Sequence, residues 1–166
     1  MPNLWRPIDE ADDALFGTAT LCHAHSVEVP YPAEDTWAAL TGEGVQAWTK
    51  GLKRLTWTSP RPFSVGATRE IEMRGGFMLR ERFFRWDEGK RKTLTGVEDT
   101  LGMFRHLVED YAVEDTECGS RLSWRWAAEL KRPWSLFQNA LDRFMFEPTC
   151  RSHIDGLATY LADSNR

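Results

Sequence analysis

The residues best suited to chemistry in this chain come in pairs at two-residue spacing: His23 and His25, Glu109 and Tyr111, Trp124 and Trp126. Residues two apart in an extended strand point to the same face, so each pair aims two functional groups into one environment. His23 and His25 share a face with Leu21, Val27 and Val29. A polar ring on an apolar face must find a hydrogen-bond partner or carry a desolvation penalty. The two histidines are therefore either acid/base groups or structural side chains bonded within the core. Glu109 shares a face with Leu107, Tyr111 and Val113. Turned inward, its carboxylate would have a raised pKa and act as a general base. A register slip of one residue would leave it in solvent instead. Arg69 and Glu81 pose the same alternative, and an inward Arg69–Glu109 pair reads as a structural ion pair before a catalytic one. Tyr111, Trp124 and Trp126 point inward together, where such rings either stack on flat ligands or simply fill a core.

Other chemistries have no foothold. There is no nucleophile elbow, phosphate-binding glycine loop, HExxH or kinase motif, and Gly75-Gly76 reads as a hairpin turn. The histidines lack a helical i, i+4 arrangement and neighbouring cysteines, so neither metal nor cofactor is expected. Cys22, Cys118 and Cys150 are far apart and odd in number, which suits free thiols in a reducing cytoplasm. The net charge is −4, whereas nucleic-acid binding calls for a basic face. The nearest basic run, Arg80, Arg82, Arg85, Lys90, Arg91 and Lys92, is interrupted by Glu81, Asp87 and Glu88, and reads as a solvated strand edge and turn. No segment approaches the roughly 20 apolar residues of a membrane span. The acidic stretch Met1–Asp13 does not resemble a signal peptide, so the expected location is the cytoplasm.

Positioning these residues requires a sheet and a helix. The length of 166 residues suits one domain, read as an N-terminal arm over 1–17 and a folded domain over 18–166. The arm has room for one short helix ending at Gly17. Ala19–Val29 alternates as a strand, and Pro30 and Pro32 end it. Pro32 suits the first position of a helix, with Glu34 and Asp35 in its first turn and Gly42 as its stop. Val45–Lys50 is a second short helix with Trp48 facing inward. Six strands follow: Leu52–Thr58, Ala67–Arg74, Phe77–Asp87, Arg91–Glu98, Phe104–Asp115 and Ser120–Leu130. Glycine-containing turns separate most of them, as in sequential antiparallel hairpins. From Trp134 to Ser164 the apolar period is helical, and a Phe137/Leu141/Phe144 stripe is expected to cross the concave face of the sheet. Pro148 should kink or break that helix, because it offers no N–H to the Phe144 carbonyl.

The order of elements resembles the START-like, helix-grip (SRPBCC) superfamily, which includes polyketide cyclases/dehydrases, plant pathogenesis-related allergens and lipid-transfer domains. The segment from His25 to Leu40, with its Val-Glu-Val-Pro, Pro-Ala-Glu and Trp-Ala-Ala-Leu, is similar to the first strand and helix of that family. Arg80-Glu-Arg-Phe-Phe-Arg-Trp-Asp87 resembles its middle strand. The resemblance implies an α+β fold, a curved antiparallel sheet of about seven strands gripping a long C-terminal helix, with a cavity between them. Candidate cavity residues are His23, His25, Trp48, Arg69, Met73 and Glu81, with Glu109, Tyr111, Trp124, Trp126, Phe137 and Leu141. The family shares no catalytic residue, so none is carried over. The resemblance implies a small hydrophobic or aromatic ligand. It also leaves open a polyketide cyclase/dehydratase-like enzyme, with His25 or Glu109 as base and Arg69 or Tyr111 stabilising an enolate, and a co-chaperone-like interaction domain.

Overall fold

The computed structural model describes residues 4–42 and 44–164. The strands are β1 (Arg6–Pro7), β2 (Leu21–Val29), β3 (Leu52–Trp57), β4 (Thr68–Met73), β5 (Met78–Asp87), β6 (Arg91–Asp99), β7 (Phe104–Thr116) and β8 (Gly119–Leu130). The helices are α1 (Leu15–Thr18), α2 (Ala33–Thr41), α3 (Val45–Trp48), α4 (Gln138–Leu141) and α5 (Glu147–Ser164). The sheet runs β2-β8-β7-β6-β5-β4-β3, and β1 adds to β6. β2 pairs antiparallel with β8 at one edge, β3 with β4 at the other, and α2 and α3 bridge the two edges. The expected helix-grip arrangement is present: a curled antiparallel sheet with a long C-terminal helical segment on its concave side. Among the described residues, no helix is long and apolar enough to cross a membrane.

Alternation decides what faces inward. On β8, Leu122, Trp124, Trp126, Ala128 and Leu130 are buried in the main core. Their partners across β7, including Leu107, Glu109, Tyr111 and Val113, share that face. A register shift between Phe83 and Arg85 breaks the alternation of β5. Phe83 faces inward, Arg85 is turned outward to Asp13, and Trp86 re-enters the aromatic core beside Trp57 and Phe63.

The outer face of the sheet is covered by the N-terminal arm. Leu15 of α1 packs with Val108 and Ala127. Asp110, which points outward, accepts hydrogen bonds from Arg91 (2.8 Å), Thr93 (2.7 Å) and Arg125 (2.9 Å). Burial by itself raises the Asp110 pKa, but these donors outweigh it and hold the carboxyl below its ordinary value. Arg85 joins the arm to this group through Asp13.

The C-terminal segment departs from the expected stripe. Phe137 and Phe144 are 63% and 76% exposed. Trp134–Phe137 is a 3₁₀ turn, Gln138–Leu141 is one α turn and Asp142–Phe146 is a π turn, so the 3.6-residue period does not hold over this stretch. The π turn passes without a gap into α5 at Glu147, and Pro148 stands at the second position of α5, where the change from π to α winding falls. The buried stripe instead comprises Phe146, Cys150, Ile154, Leu157 and Leu161. α5 passes so close to α3 that a Cβ on Gly156 would stand 2.0 Å from the Trp48 carbonyl oxygen. All three cysteines are free; Cys22 and Cys118 are exposed and Cys150 is buried.

Candidate functional site

A cavity of about 510 Å³ lies between the concave sheet, α3 and α5. This volume falls within the range of small-molecule sites, about 300–1,000 Å³. Leu52, Leu55, Ile71, Met73, Phe104, Leu107 and Phe146 give it apolar walls. Its polar groups come from neighbouring strands: Arg69 on β4, Glu81 on β5, Lys92 on β6, Glu109 and Tyr111 on β7. Trp124 and Trp126 of β8, Trp48 of α3 and His153 of α5 complete the lining.

Arg69 and Glu81 face each other across the β4–β5 register, and Arg69 Nε donates to Glu81 Oε2. Desolvation alone would lower the Arg69 pKa, but the adjacent Glu81 carboxylate outweighs it and holds the guanidinium above its ordinary value. A hydrogen-bond relay runs beside this pair. Tyr111 donates its only proton to Glu109 Oε2 at 2.7 Å. His153 Nε2 lies 3.1 Å from the same hydroxyl, and so must be the N–H tautomer that donates to it. Burial, together with the Arg69 and Lys92 charges, lowers the His153 pKa to about 3, so the ring is neutral near pH 7. Burial and the Glu81 charge raise Glu109 to about 7, against Arg69 and the donors Tyr111 and Trp124. The Tyr111 phenol is pushed well above its ordinary value by burial and by Glu109, so it stays protonated. Lys92, 1% exposed, donates to the Leu40 carbonyl at 2.7 Å. Burial first, then the Arg69 charge, lowers its pKa well below the usual lysine range.

The arrangement can hold a flat apolar molecule with its polar end among charged groups. Glu109 is also poised to take a proton near neutral pH.

The family described as "Polyketide cyclase / dehydrase and lipid transport" matches residues 21–162. The chain belongs to this family. It is 32% identical over 128 residues to uncharacterized proteins of Mycobacterium bovis and Mycobacterium tuberculosis, a match covering 76% of this chain and 77% of theirs. Among solved structures it is similar to the Zhui aromatase/cyclase of Streptomyces sp. R1128, with a TM-score of 0.75 and 10% identity over 88% of this chain and 96% of that one. It is also similar to the ginseng major latex-like protein 151 of Panax ginseng, with a TM-score of 0.63 and 14% identity over 86% and 97%. At these identities the structural likeness concerns the fold alone.

Within this polyketide cyclase/dehydrase and lipid transport fold, eight expected positions line the cavity together: Trp48, Arg69, Met73, Glu81, Glu109, Tyr111, Trp124 and Trp126. His23, His25, Phe137 and Leu141 do not line it. β2 is an edge strand packed beneath α5, so its inward residues meet the helix instead of the cavity. His23 Nε2 is 2.7 Å from Asp142 Oδ1, and His25 stacks on Trp124 at 6.3 Å. Phe137 is in the 3₁₀ turn, and Leu141 ends α4, partly buried against the core away from the cavity. Arg69 pairs with Glu81 and not with Glu109.

Sequence reasoning missed Lys92 and His153. Lys92 is the buried member of a run taken for a solvated edge. Its inward phase was available from Leu94, two residues on and fully buried. His153 stands three residues after Cys150 and beside Ile154, on the apolar face of the final helix. Four other cations of that run are matched to acids: Arg80 to Glu70 and Glu98, Arg82 to Glu10, Arg85 to Asp13, and Arg91 to Asp110.

Proposed function

We propose that this protein binds a small hydrophobic, aromatic molecule in the cavity between sheet and C-terminal helix. The observation that carries this reading is a cavity of about 510 Å³ whose walls are apolar and whose charged groups are gathered from adjacent strands. Aromatic walls remove apolar ligand surface from water and stack on its rings, while a few polar groups fix its orientation. Family membership agrees with this reading.

A set of Trp fluorescence titrations tests it. Apolar aromatic ligands should quench the protein's emission, because Trp48, Trp124 and Trp126 line the cavity. Trp124→Ala should weaken binding by about 1–3 kcal/mol, the scale of a lost buried aromatic contact. Arg125 is its chain neighbour on the outer face, bonded to Asp110, so a folded Arg125→Ala protein should bind as the wild type does. A wild type that binds no apolar ligand, and from which mass spectrometry recovers no co-purifying molecule, would remove the reading.

One observation favours a second reading, a polyketide cyclase/dehydratase-like enzyme: the pKa of Glu109, raised to about 7 at the end of the Tyr111–His153 relay. Glu109 would take a proton from carbon next to a ligand carbonyl, and the electron pair would move to the carbonyl oxygen as an enolate near Arg69. His25 is not assigned the base role, since it lies off the cavity. Solvent deuterium should exchange into a bound 1,3-diketone faster with wild type than with Glu109→Gln. Equal rates would exclude Glu109 as the base.

A further inference from the structure

Glu81 is 1% exposed, and its two oxygens are treated differently. Oε2 accepts from Arg69, whereas Oε1 is buried without a hydrogen-bond partner in the protein. An unpaired buried carboxylate oxygen is among the least tolerated arrangements in a protein interior. Tyr111 and Trp124 both donate to Glu109 Oε2, Lys92 donates one N–H to the Leu40 carbonyl, and among the described residues no protein donor is within hydrogen-bond reach of Oε1. Glu81 nevertheless lines the cavity.

Resting on the cavity reading above, we propose that the ligand carries a neutral hydroxyl group that donates its hydrogen to Glu81 Oε1, which makes the ligand class a hydroxylated aromatic. An anionic head group would meet Glu81 and Glu109 together, while Arg69 is already paired with Glu81 and burial disfavours the Lys92 charge. An ammonium head group would meet Arg69, whose charge already compensates Glu81. A neutral O–H satisfies the oxygen and adds no charge to a buried ion pair.

Calorimetric titration of the wild type with 2-naphthol, 2-methoxynaphthalene and 2-naphthoate tests this, since the three share a ring system and differ in the polar group. 2-Naphthol should bind at least tenfold more tightly than either of the others. In Glu81→Gln that preference over the methyl ether should fall below threefold, with folding checked by circular dichroism. If the naphthol and its methyl ether bind the wild type alike, the hydroxyl assignment is overturned while the cavity reading stands. Tighter binding of naphthoate overturns it in favour of an anion site. An undiminished preference in folded Glu81→Gln overturns the assignment to Glu81. If none of the three binds, both readings fall. Should Glu81→Gln not fold, the wild-type comparison alone decides the hydroxyl preference.

Discussion

Glu109 and His153 lie at either side of the Tyr111 hydroxyl, and burial makes their titrations oppose one another. The Glu109 pKa rises from 4.5 to about 7, so its contribution to stability is complete below pH 4.5 and is lost as pH rises through about 7. The His153 pKa falls from 6.5 to about 3, so its contribution is present above pH 6.5 and is lost as pH falls toward 3. Between pH 4.5 and 6.5 the two slopes have opposite sign and largely cancel. Removing the carboxylate by Glu109→Gln leaves the histidine unopposed. The difference in stability between the variant and the wild type should then become steadily less favourable to the variant on acidification from pH 6.5 to 4.5. Its slope should be at most about 1.4 kcal/mol per pH unit. Urea midpoints at half-unit pH steps measure this. Using the difference removes His25, whose lowered pKa acts equally in both proteins. A difference that does not vary with pH would show that Glu109 has no raised pKa.

At the scale of elements, the contact of α5 with α3 closes one side of the cavity, and Gly156 permits it. Alanine in a helix interior is ordinarily favoured over glycine by about 1 kcal/mol. Here the added methyl would meet the rigid Trp48 carbonyl at 2.0 Å, and backbone cannot rotate away as a flexible side chain can. The clash should therefore win, with Gly156→Ala destabilising by about 1–3 kcal/mol, the usual scale of overpacking. Thr159→Ala, at an exposed position of the same helix, should stay within about half a kcal/mol. Denaturant midpoints of the two variants provide the check, and a Gly156→Ala protein as stable as the wild type would show that α5 does not need this approach. Trp48 and His153, whose rings lie 4.9 Å apart, should be displaced together in the destabilised variant.

Across the whole molecule, the N-terminal arm and the helix cover opposite faces of one sheet. Ile8 enters the main core, and its backbone bonds to Val97 at 2.8 Å. Leu15 covers Val108 and Ala127 on the outer face. Deleting residues 1–17 should lower stability by roughly 3 kcal/mol or more, from two buried aliphatic side chains at about 1.5–3 kcal/mol each. Thermal and urea unfolding of the truncated chain test this, and unchanged stability would make the arm an appendage. The ion pair of Asp13 with Arg85 adds an acid-sensitive link. The hydrogen bond from Arg85 holds the Asp13 pKa below 3.8, so this link persists above that pH and is lost as pH falls through the lowered value.

What the sequence determined by itself is local and periodic. Alternation located the seven main strands to within about two residues of their ends, because a period of two has one geometric meaning in a pleated chain. It also put Tyr111, Trp124 and Trp126 on one inward face. What only the tertiary structure decided is which inward group meets which. Arg69 met Glu81 because β4 and β5 pair at that register, a choice fixed by contacts between strands and not by spacing within one. A single extra residue in β5 sent Arg85 outward and Trp86 inward. The 3₁₀ and π turns before Pro148 moved the buried stripe from Phe137 and Phe144 to Phe146 and Cys150. His23 and His25 faced the expected side of their strand, yet the edge position of β2 placed them under the helix. Local period follows from backbone geometry at each residue, whereas register, bulges and edge positions depend on partners far along the chain.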